Sequence, residues 1–192
     1  MGVPKPNVLV IDAEPEIVDM YREYLDDSCT VTGATGGEEG LERLDDHTDV
    51  VVLDRRMPEM SGDAVADQIK RMPIHTKIVM VTAIEPDMDL LHIEFDDYMV
   101  KPVTQADLTR AVDRMTNRIE LENQLQELLG LASRLTTLED KLDIESLETS
   151  DKYHRLTDEF TQLKREIRRT GDDSYYWDST MSKLNGAFED FE

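Results

Sequence analysis

The segment VVVLDRRMPEMSG, residues 50–62, opens with four consecutive apolar side chains and then stops on a carboxylate, Asp54. The apolar run has no polar alternation, so 50–53 reads as a central β-strand covered on both faces.

Similar short apolar runs flank it at 8–11, 29–33, 77–81 and 98–100. Between them lie apolar residues at helical spacing: Ile17, Tyr21, Tyr24 and Leu25; Leu41 and Leu44; Val65, Ile69 and Met72. Five strands alternating with helices predict an α/β fold, a parallel sheet with helices on both faces.

After Pro102 the texture changes. No proline follows, and glycine occurs only at 130, 171 and 186. Leu108, Val112, Met115 and Ile119 mark a helix, with Thr104 as its N-cap. A displaced stripe follows at Leu125, Leu128, Ala132, Leu135, Leu138 and Leu142, and a polar stretch at 145–151 interrupts it. The pattern resumes at Leu156, Phe160, Leu163 and Ile167, and Gly171 suits the residue just past a helix end. Ser174 then fits as the cap of a last helix carrying Trp177, Met181, Leu184, Phe188 and Phe191. The spacing predicts three helical pieces after an α/β domain, divided as 1–120 and 121–192.

The chain has 192 residues, 39% apolar, with one cysteine, Cys29, which excludes an internal disulfide framework and fits a reducing cytoplasm. No apolar run is long enough to span a membrane, and the start MGVPKPNVLVID lacks the pattern of a signal peptide. The net charge of -22 is spread over both parts: 23 acidic and 9 basic residues in 1–103, 20 and 12 in 104–192. Such a coat opposes generic binding to phosphate backbones and suits a cytoplasm at multimolar salt.

Four polar residues fall at predicted strand ends: Asp12, Asp54, Thr82 and Lys101. Parallel sheets bind ligands beyond the carboxyl ends of their strands, so these residues are expected in one crevice. Two carboxylates suit a divalent metal and a nucleophile, and the ammonium suits phosphoryl oxygens.

VLVIDAEPEI, VVLDRRMPEMSG, IVMVTA and DDYMVKP, in this order, resemble the signature segments of the response-regulator receiver family over about residues 7–118. The resemblance implies a flavodoxin-like, doubly wound five-stranded sheet and a two-component signalling protein rather than an ordinary enzyme. It implies that Asp54 accepts a phosphoryl group from a sensor histidine kinase, and that the receiver assists that transfer and its hydrolysis. It further implies Mg²⁺ held by Asp12, Asp54 and the main-chain carbonyl of Arg56. Thr82 and Lys101 would bind phosphoryl oxygens, Tyr98 would be the aromatic switch, and Pro102 would match a cis-proline site. Met57, Pro58 and Gly62 match the turn after the acceptor strand. The chain departs from the family at Ala13, where a second acid is usual, which puts Mg²⁺ affinity in question. The segment 83–97 is also short for the usual fourth helix, which is expected to start near Asp87. The whole chain is similar to haloarchaeal regulators with a C-terminal HalX domain.

Plainer readings stand beside these. Asp12 also fits as a helix cap, Tyr98 as a half-buried strand residue, and the Arg56 side chain as solvated. His47, His75, His92 and His154 have no ligand spacing. The leucine stripe fits either a coiled-coil seam of a homodimer or packing within one chain, with the dimer preferred. The cluster Lys164, Arg165, Arg168 and Arg169 fits a helix C-terminus better than a DNA contact. The expected output is therefore pairing with a protein partner. The alternatives are a DNA-binding transcription regulator and a receiver that works without phosphate.

Overall fold

The computed structural model describes residues 4–85 and 93–170. The chain forms two compact units, Met1–Ile119 and Glu120–Glu192.

The first unit is built on five strands: β1 (Asn7–Ile11), β2 (Thr30–Ala34), β3 (Val50–Leu53), β4 (Lys77–Thr82) and β5 (Asp97–Val100). They form one sheet in the order β2-β1-β3-β4-β5, with every neighbouring pair parallel. β3 lies in the middle, and all four of its side chains are buried. Successive side chains alternate faces, so the sheet feeds two cores. Val8, Val10, Val50, Val52, Val79 and Val81 pack with Tyr21 and Leu25 of α1 (Pro15–Leu25) and with Leu108 and Val112 of α4 (Gln105–Lys141). Leu9, Ile11, Val51, Leu53, Ile78 and Met80 pack with Val65 and Ile69 of α3 (Gly62–Arg71) and with Leu41 of α2 (Gly37–Arg43). The expected doubly wound α/β architecture is the one observed.

Three strands begin elsewhere than expected, β1 one residue early, at Asn7. β2 starts at Thr30 rather than Cys29, because the Cys29 amide donates to the Leu25 carbonyl at 2.8 Å and so closes the end of α1. β5 starts one residue early, at Asp97. The helix expected near Asp87 lies outside the described residues.

Asp96, just before β5, is the hub of an ion-pair network. Its Oδ2 accepts from Lys70 Nζ at 2.8 Å and from the Ile78 amide at 2.9 Å. Lys77 Nζ and Arg118 Nη1 each stand 3.7 Å from its Oδ1. Burial opposes the Asp96 charge, but these donors outweigh it and hold the carboxyl below its ordinary range. The neighbouring Asp97 pairs with Arg114 of α4.

α4 is one continuous helix, where the spacing had shown two displaced stripes. Thr104 caps it as expected: its Oγ1 accepts from the Asp107 amide, while Asp107 Oδ2 accepts from the Thr104 amide and hydroxyl. In the second unit α4 supplies Leu125, Leu128, Leu131 and Leu135 to a core completed by Phe160 and Ile167 of α6 (Asp151–Thr170). The leucine stripe expected at a subunit seam is thus covered within one chain. Leu142, read as part of that stripe, is 47% exposed. The polar stretch at 145–151 is also not a plain interruption. It holds most of a short helix, α5 (Ile144–Glu148), capped by Asp143 and anchored by buried Leu147. The last predicted helix, with Ser174 and Trp177, lies outside the described residues. Among the described residues no helix is long and apolar enough to cross a membrane.

Candidate functional site

The carboxyl edge of the sheet gathers the four polar residues, because its ladder continues past the strands. The Asp12 amide donates to the Ala34 carbonyl at 3.2 Å, Asp54 to Ile11 at 2.9 Å, and Lys101 to Thr82 at 2.8 Å. Each backbone is therefore pinned to a neighbouring strand before its side chain is placed.

The Lys101 ammonium donates to Asp12 Oδ2 at 2.6 Å and stands 3.1 Å from Asp54 Oδ1. The remaining oxygens are bonded locally: Asp12 Oδ1 accepts from the Glu14 amide and Asp54 Oδ2 from the Arg56 amide, both at 2.9 Å. Asp12, Asp54 and Lys101 side chains are only 4%, 9% and 18% exposed, so their charges interact with little screening. Burial raises the Asp54 pKa above the ordinary aspartate range despite the pull of Lys101, and the Asp12 charge raises it further. Burial works against the Lys101 charge, but the hydrogen bonds and charges of Asp12 and Asp54 prevail and raise its pKa. Thr82 is buried, sits opposite Val100 in the β4–β5 ladder, and lies on the strand next to β3.

The loop after Asp54 needs its glycine. A Cβ on Gly62 would lie 2.2 Å from the Asp54 carbonyl oxygen, so only glycine lets α3 start this close to the end of β3. Ser61 caps α3 by accepting from the Ala64 amide at 3.3 Å. Buried Arg55 reaches from the loop to Asp63, its Nε 3.0 and 3.2 Å from the two oxygens. Glu59, with φ 65°, is the one non-glycine residue with positive φ among the described residues. Glu59 and Ala13 line a groove of about 350 Å³ together with Gly36 and Met60.

Of the other predicted residues, Tyr98 is half-buried, and its hydroxyl donates to the Ile84 carbonyl at 2.8 Å, two residues past Thr82. Its ring lies 5.5 Å from that of Phe95. The Lys101–Pro102 peptide bond is cis. The Arg56 side chain is exposed, so only its main chain faces Asp54. His47, His75 and His154 stay outside the site, and His92 lies outside the described residues. Among the described residues no three His, Cys, Asp or Glu side chains gather as a metal cluster. Sequence reasoning missed two neighbours. One is Arg55, to which the spacing of the sequence assigns no role. The other is Tyr21, whose pKa burial and the charges of Asp12 and Asp54 push up to about 12 against the pull of Lys101. Its place in the α1 stripe signalled a core role only.

The response regulator receiver domain model matches residues 8–113, and the HalX domain model matches residues 117–188. A Haloferax volcanii protein described as "Putative transcriptional regulator" is 40% identical over 141 residues, which are 73% of this chain and 24% of that protein. Response regulator SaeR of Staphylococcus aureus is 28% identical over 118 residues, which are 59% of this chain and 52% of SaeR. The chain thus spans about a quarter of one relative and about half of the other. A receiver domain from Clostridium thermocellum has 31% identity and a TM-score of 0.53, covering 60% of this chain and 98% of that structure. A CheY-like receiver from Methanospirillum hungatei shares the fold, with 22% identity and a TM-score of 0.58 over 62% of this chain and 99% of that structure.

Proposed function

Since this chain belongs to the response-regulator receiver family and carries a HalX domain after its receiver, we propose that Asp54 accepts a phosphoryl group from a sensor histidine kinase and that the helical part carries the output. The observation that supports this most is the Lys101 ammonium shared by Asp12 and Asp54, at 2.6 and 3.1 Å, from residues far apart in the chain. Asp54 is the nucleophile, attacking phosphorus through a carboxylate oxygen while the donor's histidine nitrogen leaves. Lys101 and the Thr82 hydroxyl offset charge on the transferred oxygens. Tyr98, held through Ile84 to the segment after Thr82, is placed to follow any movement of that segment. Hydrolysis of the phosphoaspartate would end the signal.

Receiver domains generally use Mg²⁺, and the donors fit it in number and kind. The ion is usually held by one or two carboxylates and keeps several waters. Asp12, Asp54 and the Arg56 carbonyl would hold it, and it would supply positive charge beside the acceptor. Ala13 offers no side-chain oxygen, so the site is one carboxylate short of the family pattern.

Signalling proceeds through protein contacts in this reading. Homodimerisation needs a surface other than the leucine stripe, which α6 covers; Leu129, Leu142 and Ile144 remain exposed. A DNA-binding output is not favoured, because the acidic coat repels phosphate backbones. Acetyl phosphate with Mg²⁺ is expected to label the wild type and to leave Asp54→Ala unlabelled. Equal labelling of the two proteins would remove Asp54 from the mechanism.

A further inference from the structure

The loop that follows Asp54, from Arg56 to Ser61, is poorly held by packing. Met57 is buried, but Arg56, Pro58, Glu59 and Ser61 are exposed. A cavity of about 560 Å³ opens beside Arg56, Met57 and Ile84. The Met60 amide donates to the Pro58 carbonyl at 2.6 Å, which stiffens the tip but ties it to neither strand nor helix. The loop is tied at its base instead. There the Gly62 amide donates to the Arg55 carbonyl at 2.9 Å. Beside that bond, Arg55 Nε donates to both oxygens of Asp63, at 3.0 and 3.2 Å. Asp63 lies in the first turn of α3, so one side chain closes the whole loop.

Stability alone is a weak reason for this arginine. Its side chain is 9% exposed, against 36% for Asp63. Taking a guanidinium out of water costs about what such a pair returns, and an apolar side chain of similar size avoids that cost. What the pair adds is geometry, because the planar guanidinium bonds in set directions and fixes the two ends of the loop. Arg56 lies inside this closure, and its amide donates to Asp54 Oδ2 at 2.9 Å. We propose that Arg55 is a positioning residue for the acceptor site: clamped to Asp63, it holds the Arg56 main chain against Asp54, so that the amide orients the carboxylate and the carbonyl is kept in place for Mg²⁺. The carbonyl half rests on the metal assignment made above, and the amide half on the bond just given. Arg55 acts through Arg56, since the Nε that would otherwise be free for an anion is spent on Asp63.

Arg55→Met in the full chain keeps most of the stem and leaves the partly exposed Asp63 to water, so the fold is expected to survive. It also removes a positive charge from beside the metal site, so charge alone would tighten Mg²⁺ binding. Loss of the clamp predicts the opposite sign: binding weaker by about tenfold in isothermal titration, the scale on which a supporting contact acts. Asp63→Ala should weaken it similarly, and the two changes together no more than either alone. In the metal-free protein, nuclear magnetic resonance should show the Arg56 amide exchanging with solvent about tenfold faster in both variants. Asp96→Asn, which loosens the domain from the other end of α3, should change neither readout. Unchanged or tighter Mg²⁺ binding in Arg55→Met would overturn the proposal. So would Arg56 exchange no faster than in the wild type, or equal losses in Asp96→Asn. Wild type that takes no Mg²⁺ would remove the metal assignment instead, and the exchange rates would then decide the clamp by themselves.

Discussion

Lys101 pairs with two carboxylates at once and offsets one of their two charges, and that arrangement gives Ala13 its meaning. A carboxylate at position 13 would add a third to a site that now has two, Asp12 and Asp54, beside the Arg56 carbonyl. Ala13→Asp is therefore expected to tighten Mg²⁺ binding by about tenfold or more, the scale on which one supporting ligand acts. Isothermal titration with Mg²⁺ checks this, and an unchanged affinity would show that Ala13 is not the weak point. Asp54, Thr82 and Lys101 were legible because each follows an apolar strand run, and a parallel sheet sends all such ends to one edge. Arg55 and the Tyr98–Ile84 bond were not legible, because they depend on where loops fold rather than on periodicity. Glu59 was invisible for a similar reason: its left-handed backbone carries no residue-type signal when the residue is not glycine.

At the scale of elements, Asp96 binds α3, β4 and α4 to the foot of β5 through Lys70, Lys77 and Arg118. Asp96→Asn is expected to cost about 3 kcal/mol at neutral pH, as for a buried pair that loses one partner. The folded-state pKa of Asp96 is depressed, so its contribution is present above the unfolded-state value and is lost as pH falls through the folded one. Urea unfolding at neutral and acid pH should show the gap between wild type and variant closing in acid. A gap that is independent of pH would assign the cost to packing instead. The strand pattern was read well where both faces are buried and less well where exposed residues alternate. β3 was placed to the residue, whereas β2, an edge strand with exposed alternate residues, slipped by one. α4 was read as displaced stripes because its two halves bury different faces. α5 escaped because a helix this short and polar shows no period, its one buried residue being Leu147.

The molecule as a whole carries its -22 charge with no acidic block to account for it. Self-repulsion of that size is felt over a Debye length of about 10 Å at 0.1 M salt and only about 3 Å at 1 M. The thermal midpoint is thus expected to rise steadily with KCl into the molar range, and a flat or falling profile would contradict the halophilic reading. The Haloferax volcanii relative is consistent with it. This much was visible in composition; the covering of the leucine stripe by α6 was not, because a heptad-like run looks the same whether its partner is another subunit or the same chain. One consequence remains at the sheet edge. With an ammonium covalently supplied by Lys101, the acidic crevice carries its own counter-ion and does not depend on a dissolved one for cohesion. Chelation by EDTA should accordingly leave the melting curve where it was, and any cation's hold on the crevice will register as competition with a lysine instead of as rescue of a fold.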